Sequence, residues 1–222
     1  MKKWAVVVVL LYGASLVILT LPVLISSFWD PGAGSEQSFQ KVYAQWPYWL
    51  GVAVFLSAQA ALLIIPVRKS ENRPASKRTI WLPVITSAFL IALLSGGVMM
   101  AVSETIRGKE FANENIWLWI FLFVLSVTWV VWGALFYRWS RKLEPGSFIE
   151  KICRWLFCGS ILELLVAIPT HIVVRSRNYC CAGFGTFFGI TFGIAIMLLS
   201  FGPGVFFLFV ERWKKLHPVK EL

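Results

Sequence analysis

Apolar runs of about twenty residues recur along the chain and constrain its fold more than any other feature. A helix rises about 1.5 Å per residue, so roughly 20 apolar residues cross the ~30 Å hydrocarbon core of a bilayer. Charges or helix-breaking residues separate six such runs, near residues 4–26, 47–67, 80–102, 116–137, 155–174 and 184–210. We therefore expect an all-α integral membrane protein, a single domain built as a bundle of six transmembrane helices.

The composition agrees with this class. Hydrophobic residues make up 58% of the chain and charged residues only 14%, whereas soluble domains have about 25% charged residues. A water-soluble globular protein is thereby excluded. The first run follows Lys2 and Lys3, but it is longer than the ~7–15 apolar residues of a signal peptide, so we interpret it as a retained span.

The basic residues predict how the chain is oriented. Sixteen of the 21 Lys and Arg residues lie near the two ends of the chain or in the connections after the second and fourth spans. The positive-inside rule places that side in the cytoplasm, so both termini are predicted to be cytoplasmic, most simply in a bacterial inner membrane. The acidic residues divide evenly, five on each side, with Glu104 among the outer five and Glu163 alone inside a span.

The net charge of +10 follows from this orientation, because basic residues on the cytoplasmic side contact anionic lipid there. The lipid bilayer is thus the expected partner, and nucleic-acid binding is not expected. Motifs of soluble chemistry are also missing from the sequence: there is no Walker A loop, HExxH or GxSxG. An enzymatic role is accordingly not favoured.

Glu163 is the first candidate for function, since an ionisable side chain in a span is expensive and usually faces protein or a cavity. Counting residues from the span ends places several polar side chains near its depth or its helix face, which predicts a midplane polar site: Glu163, Gln59, Ser126, Thr128 and Thr170. Two interpretations stay open. Glu163 either joins helices as a protonated acid bonded to Gln59 or a hydroxyl, or it relays protons or cations.

A second candidate site lies at the outer end of the fifth span. Cys180 and Cys181 are adjacent in a short loop that also carries Arg175 and Arg177, and His171 precedes them. Two sulfurs and one imidazole suit copper or zinc, and neighbouring cations favour the thiolate. The alternative is a packed loop whose thiols and histidine have no chemical role.

The last span carries two further patterns. Gly185, Gly189 and Gly193 recur every four residues, which favours close helix packing, either inside the chain or in a homodimer. A helix break is predicted at Gly202, Pro203 and Gly204, as a kink or as an unwound segment lining a cavity.

These patterns lead to three functional hypotheses. The first is a small solute or ion permease, or the membrane subunit of a transporter, with its binding site around Glu163. The second is an envelope protein with thiol-redox or metal chemistry at Cys180, Cys181 and His171. The third is a non-catalytic scaffold that dimerises, or joins a membrane complex, through the glycine repeat. Apart from the metal in the second hypothesis, the sequence indicates no cofactor.

Overall fold

The structure of the protein is a computed structural model, and it describes residues 2–28, 46–71, 77–108, 116–177 and 183–217. These residues form six α-helices. No strand occurs among these residues, so the all-helical prediction is confirmed for the described part of the chain. In chain order the helices are α1 (Lys2–Phe28), α2 (Trp46–Ser70), α3 (Lys77–Arg107), α4 (Ile116–Lys142), α5 (Pro145–Arg175) and α6 (Phe184–Leu216).

Five of these helices, α2 to α6, are long and apolar enough to cross a membrane. The protein is therefore embedded in a membrane and crosses it several times. Each of the six predicted spans falls inside one helix. The first of them falls in α1, which has 27 residues, and the side chains of α1 beyond Ile18 lie outside the described residues.

Helix α5 begins ten residues before the span predicted to start at 155. Pro145 occupies the first turn, where its missing amide hydrogen breaks no helical bond. Phe148 and Ile149 are buried in that early segment, so packing continues the helix through Lys151 and Arg154. In the sequence analysis these two residues were counted among the charges of the connection after the fourth span. The structure places both of them inside α5, in the part that precedes the apolar run.

Helix α6 is the central element of the bundle, because it packs against α1, α2, α3 and α5. The Tyr12 hydroxyl of α1, for example, donates a hydrogen bond to the Ala195 carbonyl of α6 at 3.0 Å. Helix α4 lies at the edge and packs mainly on α3, where the Trp129 indole donates to the Ile85 carbonyl at 3.0 Å. The chemistry of the interior is therefore concentrated around α6.

Candidate functional site

The carboxyl group of Glu163 lies between three helices in the interior of the bundle. Its side chain belongs to α5 and is 1% exposed. Oε1 is directed at Gly97 of α3, where a Cβ atom would overlap it, and Oε2 is 3.0 Å from the place a Cβ would take at Gly193 of α6. Neither oxygen has a hydrogen-bond partner among the described residues. The carboxyl group is thus buried against two glycines, and a side chain at either position would crowd it.

Small residues make this arrangement possible. Gly189 approaches α3 so closely that a Cβ there would lie 3.2 Å from the Gly97 carbonyl oxygen and 3.5 Å from the Ala167 methyl group. Ser160 and Ala167 lie one turn to either side of Glu163 and are fully buried. A stripe of small side chains on α5 therefore meets the glycines of α6, and Glu163 is the one large polar group in it.

The glycine repeat of α6 is used within a single chain. Gly185, Gly189 and Gly193 are all buried, and the last two contact α3 and α5 as described above. These contacts favour the internal alternative of the two that the sequence left open for the repeat.

Gln59 is also fully buried, but it lies at another level of the bundle. Its amide on α2 is so close to Gly202 of α6 that a Cβ there would overlap it, and its nitrogen and oxygen have no partner among the described residues. Gly202 follows Gly193 by nine residues, about 13 Å along the helix axis. The structure therefore does not join Gln59 to Glu163, and the hydrogen bond between them, which one of the two interpretations of Glu163 offered, is absent.

The three predicted hydroxyls do not join Glu163 either. Ser126 is exposed on α4 and donates to the Leu122 carbonyl of its own helix at 2.7 Å. Thr128 is half-buried on the same peripheral helix. Thr170 on α5 donates to the Val166 and Ala167 carbonyls at 2.8 and 2.9 Å. The hydrogen bonds of Ser126 and Thr170 are local, because a hydroxyl in a helix can reach the carbonyl one turn before it.

The predicted break in α6 is not an unwound segment. The helix continues from Phe184 to Leu216 through Gly202, Pro203 and Gly204, so of the two alternatives the unwound one is wrong. Pro203 has no amide hydrogen for the Leu199 carbonyl, which weakens the helix locally without ending it.

A cavity of about 380 Å³ lies beside this weakened turn, between α2, α5 and α6. Its wall includes Pro66 and Pro203, and it has polar side chains near the α2 C-terminus (Lys69), near the α5 N-terminus (Glu150) and on α6 (Ser200). This end of the bundle is the one predicted to face the cytoplasm.

Glu104 is a buried acid that the sequence analysis missed. It was counted as an outer surface charge, yet it is 2% exposed. Its two carboxylate oxygens accept hydrogen bonds from the backbone amides of Gly183 and Thr186, each at 2.8 Å. Glu104 of α3 therefore caps the N-terminus of α6, where free amides and the helix dipole favour a negative charge.

His171 belongs to the same outer cluster. Its Nδ1 atom is 2.8 Å from the hydroxyl of Thr186, and the ring lies against Gly183, whose φ of +93° favours glycine. Thr186 also donates from its hydroxyl to the Gly183 carbonyl at 3.1 Å. Of the three residues of the predicted metal or redox site, the structure therefore describes His171, whose ring is hydrogen-bonded to the Thr186 hydroxyl.

Cys180 and Cys181 lie outside the described residues, so the second candidate site stays a prediction. Within the described ranges, no three His, Cys, Asp or Glu side chains are grouped closely enough to hold a metal ion.

Comparisons with known proteins add no family to this picture. No protein-family model, curated protein or solved structure matches the chain.

Proposed function

We propose that the protein is a permease for a small solute or ion, or the membrane subunit of a transporter, and that Glu163 is its binding site. The observation that carries this proposal is a carboxyl group that is 1% exposed and has no hydrogen-bond partner among the described residues. Gln59 repeats the pattern at a second level along α6.

The missing partners distinguish this role from a structural one. A buried polar group without a partner costs roughly 1–3 kcal/mol, whereas a side chain that joins helices satisfies its donors and acceptors. Gly97 and Gly193 leave room for the carboxyl group, although glycine is about 1 kcal/mol less favourable than alanine inside a helix. A binding site needs a polar group that is free to contact the ligand, so an unpartnered acid is expected there even though it lowers the stability of the protein.

The setting of the protein belongs to the same proposal. We place it in a bacterial inner membrane with both termini in the cytoplasm, and we expect anionic lipid against its basic cytoplasmic side. Sixteen of 21 basic residues on one side support that orientation. The scaffold hypothesis has less support, since Gly189 and Gly193 already contact α3 and α5.

Dicyclohexylcarbodiimide tests the site without knowledge of the substrate. This lipid-soluble reagent adds to protonated carboxyl groups in apolar surroundings and forms a stable acylurea. We expect it to modify Glu163 in native membranes, and Glu163→Gln should remove the adduct. Glu144→Gln is the matched control, because Glu144 is an exposed acid at the start of the same helix and makes no side-chain capping bond.

Complementation of a deletion strain tests whether the reactive acid matters. At equal abundance in the membrane, Glu144→Gln should restore the wild-type phenotype and Glu163→Gln should not. Full complementation by Glu163→Gln would refute the proposed function, as would a Glu163 that never reacts with the carbodiimide.

A further inference from the structure

The buried polar side chains are arranged at successive levels along α6. Seven polar or charged side chains are buried among the described residues, and five of them lie on α6 or against it. From the N-terminal end of α6 they are Glu104 with Thr186, then Glu163 against Gly193, then Ser200 in the cavity wall, and finally Gln59 against Gly202. Polar groups of four helices thus lie at successive levels on or against α6, from its N-terminal end toward the cavity.

We propose that the ion bound at Glu163 is a proton, and that protons cross the membrane along α6 between the His171–Thr186 pair and the cavity at Ser200. This inference rests on the proposed function, because it names the cargo or coupling ion of the same site. It goes further in assigning the two ends of the pathway and in excluding metal cations.

The surroundings of Glu163 favour a proton over a metal cation. Calcium takes about 6–8 oxygen ligands and magnesium an octahedral six, and potassium filters surround the ion with a ring of carbonyls. Here one carboxyl group supplies two oxygens, and no described donor or acceptor lies within hydrogen-bond distance of either. A methyl group would already collide with the carboxyl at Gly97. A proton binds to a single carboxylate oxygen and needs no additional space beside it.

The N-terminal end of α6 provides a proton acceptor. Thr186 has one hydroxyl proton, and it donates this proton to the Gly183 carbonyl. The Nδ1 atom of His171 is 2.8 Å from the same hydroxyl, and the two ring nitrogens of an imidazole can accept and donate protons. His171 is half-buried, so it connects the outer surface with the polar interior. The bonds from Gly183 and Thr186 to Glu104 hold this end of α6 in place.

The other end of the pathway is the cavity of about 380 Å³, which includes Ser200 and the charged Lys69 and Glu150 in its wall. Gln59 packs against Gly202, whose neighbours Phe201 and Pro203 line this cavity. Its amide can donate and accept at the same time, as a proton pathway requires.

The proton transfer itself is simple. The Glu163 carboxylate accepts a proton from hydronium that reaches it from one end, which leaves water, and it returns the proton to water at the other end. Seven residues separate Thr186 from Gly193, about 10 Å, and nine separate Gly193 from Gly202, about 13 Å. Since both gaps exceed a hydrogen bond, water has to enter each one, and the tight packing around Glu163 prevents a continuous leak.

Purified protein in liposomes that contain the pH dye pyranine tests the proposal. A potassium gradient with valinomycin sets the membrane potential, and internal acidification reports proton uptake. We expect uptake by the wild type, none above empty liposomes for Glu163→Gln, and a several-fold lower rate for Gln59→Met. Ser87→Ala is the matched control, because the Ser87 hydroxyl is buried but bonded to its own helix. Elution as a single species in size-exclusion chromatography checks that each variant is folded.

The results separate this inference from the proposed function. Proton uptake that Glu163→Gln abolishes supports both. If the liposomes take up no protons and sodium or potassium slows the carbodiimide modification of Glu163, the proton is not the bound ion. That result refutes this inference and still supports the proposed permease. Uptake that is equal in wild type and Glu163→Gln overturns the pathway, and a Glu163 that never reacts overturns the proposed function itself.

Discussion

Replacing Glu104 by alanine should destabilise the bundle more than any other removal of a charge at a described helix end. The carboxylate accepts two amide bonds of 2.8 Å at the start of α6 and is 2% exposed. A bond to a charged group contributes about 1.5–3 kcal/mol, and a buried amide left without an acceptor costs about 1–3 kcal/mol. We therefore expect the free energy of unfolding to fall by about 3 kcal/mol. Glu104→Gln should lose about half as much, since its amide oxygen still accepts one bond.

Unfolding in mixed micelles with increasing sodium dodecyl sulfate measures this loss. Glu144→Ala is the matched control, because Glu144 precedes α5 but makes no side-chain capping bond, and its removal should change the free energy by less than about 0.5 kcal/mol. Hydrogen exchange gives a local check: the amides of Gly183 and Thr186 should exchange faster in Glu104→Ala. Equal stability of the two alanine variants, with unchanged exchange at those amides, would refute the capping role.

Three further predictions concern the interior and the orientation. Gly97→Ala should destabilise the protein by about 1–3 kcal/mol, because the methyl group meets the Glu163 carboxyl; Gly204→Ala, with nothing within 4 Å of its Cβ, should stabilise it by up to about 1 kcal/mol. Both follow from detergent unfolding, and a stabilising Gly97→Ala would contradict the packing. Gln59→Met should raise the unfolding free energy by about 1–3 kcal/mol while lowering proton uptake, since it removes two unpartnered polar atoms; a loss of stability would reveal a partner. A membrane-impermeant maleimide, after mild reduction, should label the thiols between α5 and α6 in intact cells, and labelling only after lysis would reverse the predicted orientation.

The helices could be predicted from sequence because their signal is local. A run of apolar residues long enough to cross a bilayer forms a helix whatever its neighbours are. Within a single segment, only a helix provides hydrogen bonds for all the backbone amides and carbonyls in the hydrocarbon core. The start of α5 was harder to predict, because Lys151 and Arg154 resemble a connection, and only the burial of Phe148 and Ile149 shows that the helix already packs.

Depth in the bundle could not be predicted in this way. Counting inward from a span edge assumes helices of equal length that run parallel, but α2 has 25 residues and α5 has 31. The count therefore placed Gln59 beside Glu163, although they contact glycines nine residues apart on α6.

Glu104 shows a different limit. Its partners are backbone amides, and every residue except proline has one, so the sequence carries no sign of the bond. The positive φ of Gly183, seen only in the structure, marks where the chain turns to present its amides.

The position of α6 has a consequence for biosynthesis. The ribosome makes α6 after the other five described helices, and yet four of them pack against it. Until it inserts, Glu104 lacks the amides that it caps, and the α5 face around Glu163 lacks the glycines that enclose it. Helix α3 can pack on α4 and α5 before that, but the two acids stay uncovered until α6 inserts. A nascent chain that stops before α6 would present two exposed carboxyl groups to the cell's membrane proteases.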